Sequence, residues 1–290
     1  MLEALLSAVV KGLLTGMVYG LMALGLSVIF GVMKVVNFAH GEMTVCAMYL
    51  CLVLFNALEI DPLLALPFVA ACLFAFGYAL QRGIIQPFIG RPDYQQFMLL
   101  LAVSILLVNG CLITFGPDAQ GVQLAYAFDS YEIGPLILDA TRIYAAAIAL
   151  VITAALWLFF TRTGTGKAIR AAADNHLGAL VVGLDVRRLY AITFGIGAAC
   201  CGAAGALLLT MLQVQPFLAL EYTLLAFVIV IVGGLGSMPG ALLGGLLIGV
   251  SEAVAGILLQ PSLKSMFSFG LLIAVLLLRP QGLFGPRNSS

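Results

Sequence analysis

Gly31-Val32-Met33-Lys34-Val35-Val36-Asn37-Phe38-Ala39-His40-Gly41-Glu42 separates two long apolar runs and carries Lys34, Asn37, His40 and Glu42. Hydrocarbon rejects such groups, so a polar insert inside a membrane span marks a place that has water, a partner or a ligand. A second interruption, Gly233-Gly234-Leu235-Gly236-Ser237-Met238-Pro239-Gly240, breaks another strongly apolar run far downstream. Two broken hydrophobic segments, one in each half of a chain, point to a transport pathway built from discontinuous helices. Asn37 reads in one of two ways that are not exclusive. It caps a helix starting near Phe38, with Glu42 on the same turn. Or the helix start points into a cavity and offers free N–H groups to a carboxylate.

Composition sets the class around these breaks. The chain has 290 residues, of which 63% are hydrophobic and 9% charged. Soluble domains are roughly 45–50% apolar and about 25% charged. The expected fold is therefore all-α: a polytopic transmembrane helical bundle with discontinuous or re-entrant helices, read as one permease domain over 1–290. A formal net charge of +0 gives no support for nucleic-acid binding. The six cysteines, Cys46, Cys51, Cys72, Cys111, Cys200 and Cys201, all fall in apolar runs without metal spacing, which reads as small buried hydrophobes. No cleavable leader is expected, because the apolar start runs directly into a span.

Hydropathy predicts spans at 5–33, 40–58, 62–83, 97–115, 142–161 and 190–211, then segments at 222–235 and 238–258 and a last span at 265–279. The segments at 222–235 and 238–258 are either two full spans or one re-entrant hairpin. Lys and Arg cluster in the loops at 82–96 (Arg82, Arg91) and 162–189 (Arg162, Lys167, Arg170, Arg187, Arg188) and in the tail (Arg279, Arg287), which places these in the cytoplasm. The loop at 116–141 has Asp118, Asp129, Glu132 and Asp139 and is expected outside, with Glu59, Asp61 and Glu221 on the same side. The N-terminus is then outside and the C-terminus cytoplasmic. Gly12, Gly16 and Gly20, then Gly236, Gly240 and Gly244, then Gly245, Gly249 and Ala253, recur every four residues, the spacing of close helix contact. Packing within the chain is the first reading, a subunit seam the second.

The motifs that resemble enzyme chemistry fail on inspection. Thr163-Gly164-Thr165-Gly166-Lys167-Ala168 has Thr161 where a phosphate loop needs glycine and Ala168 where it needs a metal-binding hydroxyl. Gly234-x-Gly236 has Pro239 where a dinucleotide fingerprint needs its third glycine. Neither histidine has a second ligand at metal spacing, and no nucleophile–base pair is evident. The cytoplasmic loop is more informative. Ile169, Ala172, Ala173, Leu177, Leu180, Val181 and Leu184 recur at three and four, with Lys167, Arg170 and Asp174 on another side and Gly183 as a stop. This predicts one amphipathic helix, lying either on the lipid surface or against a cytosolic partner.

Gly12 to Gly20, Ala23-Leu24-Gly25-Leu26 and Ile29-Phe30-Gly31-Val32-Met33, leading into Val36 to Glu42, form a block that resembles the N-terminal signature of LivH-like branched-chain amino acid ABC-transporter permeases. Phe227 to Gly245 resembles that family's second signature, Arg279-Pro280-Gln281-Gly282-Leu283-Phe284-Gly285 its ending, and Arg170 to Leu184, continuing into Ala191-Ile192-Thr193-Phe194, its cytoplasmic segment. The resemblance implies a bacterial inner-membrane importer subunit for branched-chain or hydrophobic amino acids, forming half of the translocation pathway in membrane lipid. Its partners would be a second related permease, two cytosolic ATPase subunits and a periplasmic substrate-binding protein. ATP and Mg would be used by the ATPases, with no cofactor on this chain. The pathway would run past Asn37, His40 and Glu42 facing Gly233, Gly234, Gly236 and Ser237. Lys167, Arg170, Asp174, Gly183 and Asp185 would couple to the ATPases. The run Ala171-Ala172-Ala173-Asp174 lacks the glutamate of the general importer docking motif. Permeases for urea, short amides or aromatic acids share nearly the same signatures, and Phe38 fits the amino-acid branch. The rival of another class is an ion-coupled secondary transporter or channel acting alone. It needs a titratable residue deep in a span, and Glu252, placed near the outer end, is the mid-to-late candidate. A purely structural scaffold leaves the polar groups in both helix breaks without a purpose.

Overall fold

The structure is a computed structural model that describes residues 2–133, 136–258 and 264–285. Arg287, used above to orient the tail, lies outside the described residues. Helix α1 (Leu2–Met33) is followed by α2 (His40–Leu58), α3 (Pro62–Leu80), α4 (Asp93–Phe115) and α5 (Ala140–Arg162). The cytoplasmic loop of the sequence reading holds α6 (Gly164–Asp174) and α7 (His176–Val181). Then come α8 (Val186–Leu209), α9 (Leu218–Gly233), α10 (Met238–Leu258) and α11 (Lys264–Leu278). A small antiparallel hairpin, β1 (Ser130–Ile133) and β2 (Leu136–Asp139), pairs Ser130 with Asp139 just before α5. Among the described residues, seven helices are long and apolar enough to cross a membrane by length and composition. The fold is the expected all-α polytopic bundle.

Helix α8 is the axis of the bundle. In its most apolar window 89% of residues are buried, against 22% in α4 and 28% in α5, which lie at the periphery of the chain. The reason lies in α8's small residues. A Cβ on Gly197 would meet the Ile29 side chain and the Gly25 carbonyl, one on Gly202 would meet Ala70 Cα at 2.9 Å, and one on Gly205 would meet the Thr44 carbonyl at 2.6 Å. Glycine here lets α1, α3 and α2 approach one helix at backbone distance, which replaces the hydrophobic driving force that lipid removes.

The stripes of small residues pack within the chain, as their spacing predicted. Gly12 and Gly16 of α1 lie against Gly249 and Gly245 of α10, and a Cβ on Gly16 would stand 2.7 Å from the Gly245 carbonyl oxygen. Gly240 and Gly244 lie against Gly233 and Ile229 of α9. Helices α9 and α10 thus form a tight antiparallel hairpin, and α10 continues along α1 from Gly20 to Gly12. The hairpin has unequal arms. Helix α9 has 16 residues, roughly 24 Å at about 1.5 Å per residue, whereas α10 has 21 and is long enough to cross.

The amphipathic helix expected in the cytoplasmic loop is two helices. Asn175 breaks it and caps the second piece, its Oδ1 accepting from the Gly178 N–H at 2.8 Å. The apolar residues therefore divide. Ile169 and Ala172 of α6 are buried in the bundle, while Leu177 and Val181 of α7 are 73% and 87% exposed, with Val182 beside them. Gly183, at φ +82°, ends α7 as predicted.

Candidate functional site

The first break carries the chain back into the bundle. Lys34, with φ 56°, ends α1 through its N–H to the Phe30 carbonyl and holds its ammonium over the Phe30 ring. Residues 34–37 then run without helix, and His40 at the start of α2 places Nε2 2.9 Å from the Met22 carbonyl oxygen. Met22 lies about three turns up α1 from Met33. Helix α2 therefore starts inside the protein and not at the end of α1.

Around that start, four helices converge on a buried polar knot. Asn37 Oδ1 accepts from the Ala39 N–H at 3.1 Å, a local turn that leads into the helix. The Gly41 N–H donates to Thr223 Oγ1 of α9 at 2.8 Å. The Glu42 carboxylate accepts from Ser104 Oγ of α4 at 2.5 Å and from Thr223 Oγ1 at 2.9 Å. Cys201 Sγ of α8 lies 3.3 Å from His40 Nε2. Asn37 and His40 are fully buried and Glu42 is 3% exposed. Two expectations change here. Asn37 turns the chain at Ala39, which occupies the cap position without a side-chain cap bond. The N–H groups of Ala39 and Gly41, two of the donors the helix start would offer a carboxylate, are taken by protein side chains. Gly41 is required because a Cβ would collide with the Ala219 carbonyl and the Thr223 backbone.

The second break meets the first at another point than the sequence suggested. Asn37, His40 and Glu42 make their hydrogen bonds with each other's neighbours and with α1, α4, α8 and α9. Gly31 takes the place expected for them and packs on Gly236, whose added Cβ would stand 3.1 Å from Gly31 Cα. Gly236 has φ +81° and Gly234 φ +106°, conformations that favour glycine. Ser237 Oγ accepts from the Gly240 N–H at 3.1 Å and so caps α10. The carbonyls of Val232 and Gly233, left open at the end of α9, accept from the Leu283 and Phe284 N–H groups of the tail, each at 2.9 Å. Gly233 and Gly234 are thus closed over by the tail.

A cavity of about 570 Å³ opens beside the Gly31–Gly236 contact. Gly236, Lys167, Arg170, Asp174 and Ser27 are among its walls. The structure brings together one member of the expected pathway set and three of the expected coupling set, and leaves the others elsewhere. Gly183 ends α7. Asp185 caps α8 by accepting from the Arg188 N–H at 3.1 Å and borders a separate groove of about 350 Å³. Ser27 is fully buried, lines the large cavity and has no hydrogen-bond partner among the described residues. Sequence reasoning passed over Ser27, Ser104 and Thr223 and read Cys201 only as a small buried hydrophobe, since single hydroxyls and thiols inside apolar runs have no periodic signal. It noted the tail motif without its purpose, although Pro280, Gly282 and Gly285 signal a tight turn.

Residues 8–276 match the family model described as the permease component of the branched-chain amino acid transport system. The high-affinity branched-chain amino acid transport system permease protein BraD of Pseudomonas aeruginosa is 29% identical over 97% of this chain and 95% of its own length. The corresponding LivH of Escherichia coli is 31% identical over 95% of this chain and 94% of its own. LivM of Escherichia coli, a second permease protein of that system, is 25% identical over 92% of this chain and 68% of its own length. A match covering nearly every described helix, including both helix breaks and the loop between α5 and α8, makes this chain a member of the branched-chain amino acid transport permease family.

Proposed function

We propose that this multi-pass membrane protein is the permease subunit of an ABC importer for branched-chain or hydrophobic amino acids, in the bacterial inner membrane. It pairs with a second related permease, receives substrate from a periplasmic binding protein and is driven by two cytosolic ATPases, which use the ATP and Mg. The N-terminus is outside and the C-terminus cytoplasmic, on the Lys and Arg bias of the loops. The observation that carries this reading is the cavity in which Gly236 of the second helix break faces Lys167, Arg170 and Asp174 of α6. Helix α6 is seated in the bundle by buried Ile169 and Ala172, while the adjoining α7 exposes Leu177 and Val181, with Val182 just after it, as an apolar ridge for a partner. A push on α7 would move α6, and with it the wall of the cavity at the Gly31–Gly236 contact, as rigid-body rocking. The role of Asn37, His40 and Glu42 in this reading is to hold the inner start of α2 against α1, α4, α8 and α9. They would line the pathway only when those helices part.

Two variants test the coupling. Gly236→Leu is expected to abolish uptake while the complex still assembles, because a side chain there meets Gly31 and strains a left-handed residue by about 1–2 kcal/mol. Arg170→Glu is expected to weaken co-purification of the ATPases several-fold. Normal uptake by the first variant, or unchanged ATPase recovery with the second, counts against the cavity as the coupled element.

A further inference from the structure

The cavity beside the Gly31–Gly236 contact holds more chemistry than coupling requires. Ser27 lies one turn up α1 from Gly31 and is fully buried. Its hydroxyl lines the cavity and has no hydrogen-bond partner among the described residues. Thr44 and Thr193, equally buried in their helices, donate to the carbonyl four residues back. Leaving a buried hydroxyl unpaired is costly, so an unmade bond facing a cavity points to a polar occupant.

Helix α6 contributes both signs of charge to the same cavity. Lys167, Arg170 and Asp174 follow one another at spacings of three and four, which puts them on one helix face. Arg170 and Asp174 stand one turn apart, where opposite charges commonly pair. Here no ion pair or side-chain hydrogen bond ties Lys167, Arg170 or Asp174 to another described residue. All three are exposed, so a solute reaches them. The rest of the wall is apolar, with Val28, Val32, Phe160 and Met238. The volume of about 570 Å³ lies within the range of small-molecule sites, roughly 300–1,000 Å³.

We propose that this cavity binds a free α-amino acid with an apolar side chain, and that the bound amino acid restrains the rocking that drives import. The carboxylate turns toward Lys167 and Arg170, the ammonium toward Asp174, and Ser27 gains a polar partner. The side chain lies against Val28, Val32, Phe160 and Met238. A zwitterion meets an opposite charge at both ends, whereas a lone anion meets Asp174 and a lone cation meets Lys167 and Arg170 as like charges. The loop holding α6 is the one whose Lys and Arg place it in the cytoplasm, so the ligand is amino acid already imported. This inference rests on the permease reading and adds regulation to the same cavity. A ligand that fits one shape of the cavity favours that shape. Movement of α6 changes the shape at the Gly31–Gly236 contact, so accumulated product slows the cycle.

The test uses the whole complex in two settings. In nanodiscs without binding protein, radiolabelled leucine should bind, and leucinamide, 4-methylpentanoate and glycine should each compete about tenfold less well or worse. Asp174→Asn should bring leucine level with 4-methylpentanoate, while Asp174→Glu keeps the preference. Ser27→Ala should weaken leucine about threefold or more. In proteoliposomes with ATP and the ATPases inside and binding protein outside, preloaded leucine should slow both ATP hydrolysis and initial uptake about threefold, and preloaded glycine should not. In Ser27→Ala the ratio of preloaded to empty rates should move toward one. Equal competition by all the compounds, unchanged leucine affinity in Ser27→Ala, or rates indifferent to preloaded leucine would each overturn the inference. Uptake into empty vesicles that still depends on binding protein would then leave the permease reading standing. Absence of that uptake in the unaltered complex overturns both.

Discussion

Gly245→Leu should reduce the yield of monodisperse protein at least tenfold. Gly245 of α10 faces Gly20 and Gly16 of α1, and a Cβ alone would stand 2.5 Å from Gly20 Cα and 2.8 Å from the Gly16 carbonyl oxygen. Backbone cannot rotate away as a side chain can. Overpacking costs about 1–3 kcal/mol where neighbours adjust and more where they do not. Here the two helices must separate along the whole seam, exposing Gly12 and Gly249 as well. Gly110→Leu on α4 is the matched control, since nothing lies within 4 Å of an added Cβ there. Size-exclusion profiles of the two variants in detergent decide the matter. Equal recovery would show that the α1–α10 contact does not hold the bundle.

Glu42→Leu is expected to destabilise the protein by about 2–5 kcal/mol, because it strands the buried donors of Ser104 and Thr223, each costing about 1–3 kcal/mol. Thr223 Oγ1 also accepts from the Gly41 N–H, so disorder would spread to the start of α2. Glu42→Gln keeps an acceptor for one hydroxyl and should cost about 1–2 kcal/mol. Thermal unfolding of the purified complex measures both. A Glu42→Leu protein that unfolds with the unaltered one would remove the knot from the list of things that hold α2 inside the bundle.

The fold was legible wherever one residue type outweighed its surroundings. Polar groups between Gly31 and Glu42 located the end of α1 and the start of α2, because neither hydrocarbon nor a continuous helix accommodates Lys34 and Asn37 there. Glycines every fourth residue marked the closely packed faces of α1 and α10, while their pairing with each other came only from the structure. What stayed hidden depends on partners distant in sequence. Glu42 reads as a capping residue until Ser104 and Thr223 arrive from α4 and α9. The break at Asn175 was missed because the apolar spacing runs straight through it, while a local cap on Gly178 was stronger than the stripe. Gly31 was not named for the pathway, since nothing local says that it will face Gly236. The roles of Gly233 and Ser237 were blurred for the same reason: the first is closed by the tail, and the second caps α10.

On the proposed function, a separate ATP-driven motor moves amino acids through this subunit. The most direct test of this uses proteoliposomes holding the permease with its partner subunits, with binding protein outside and radiolabelled leucine, isoleucine or valine as substrate. Accumulation is predicted only when ATP is enclosed with the ATPases, and it should persist when the proton gradient is collapsed. Accumulation without ATP, driven by an imposed proton or sodium gradient, would contradict the account.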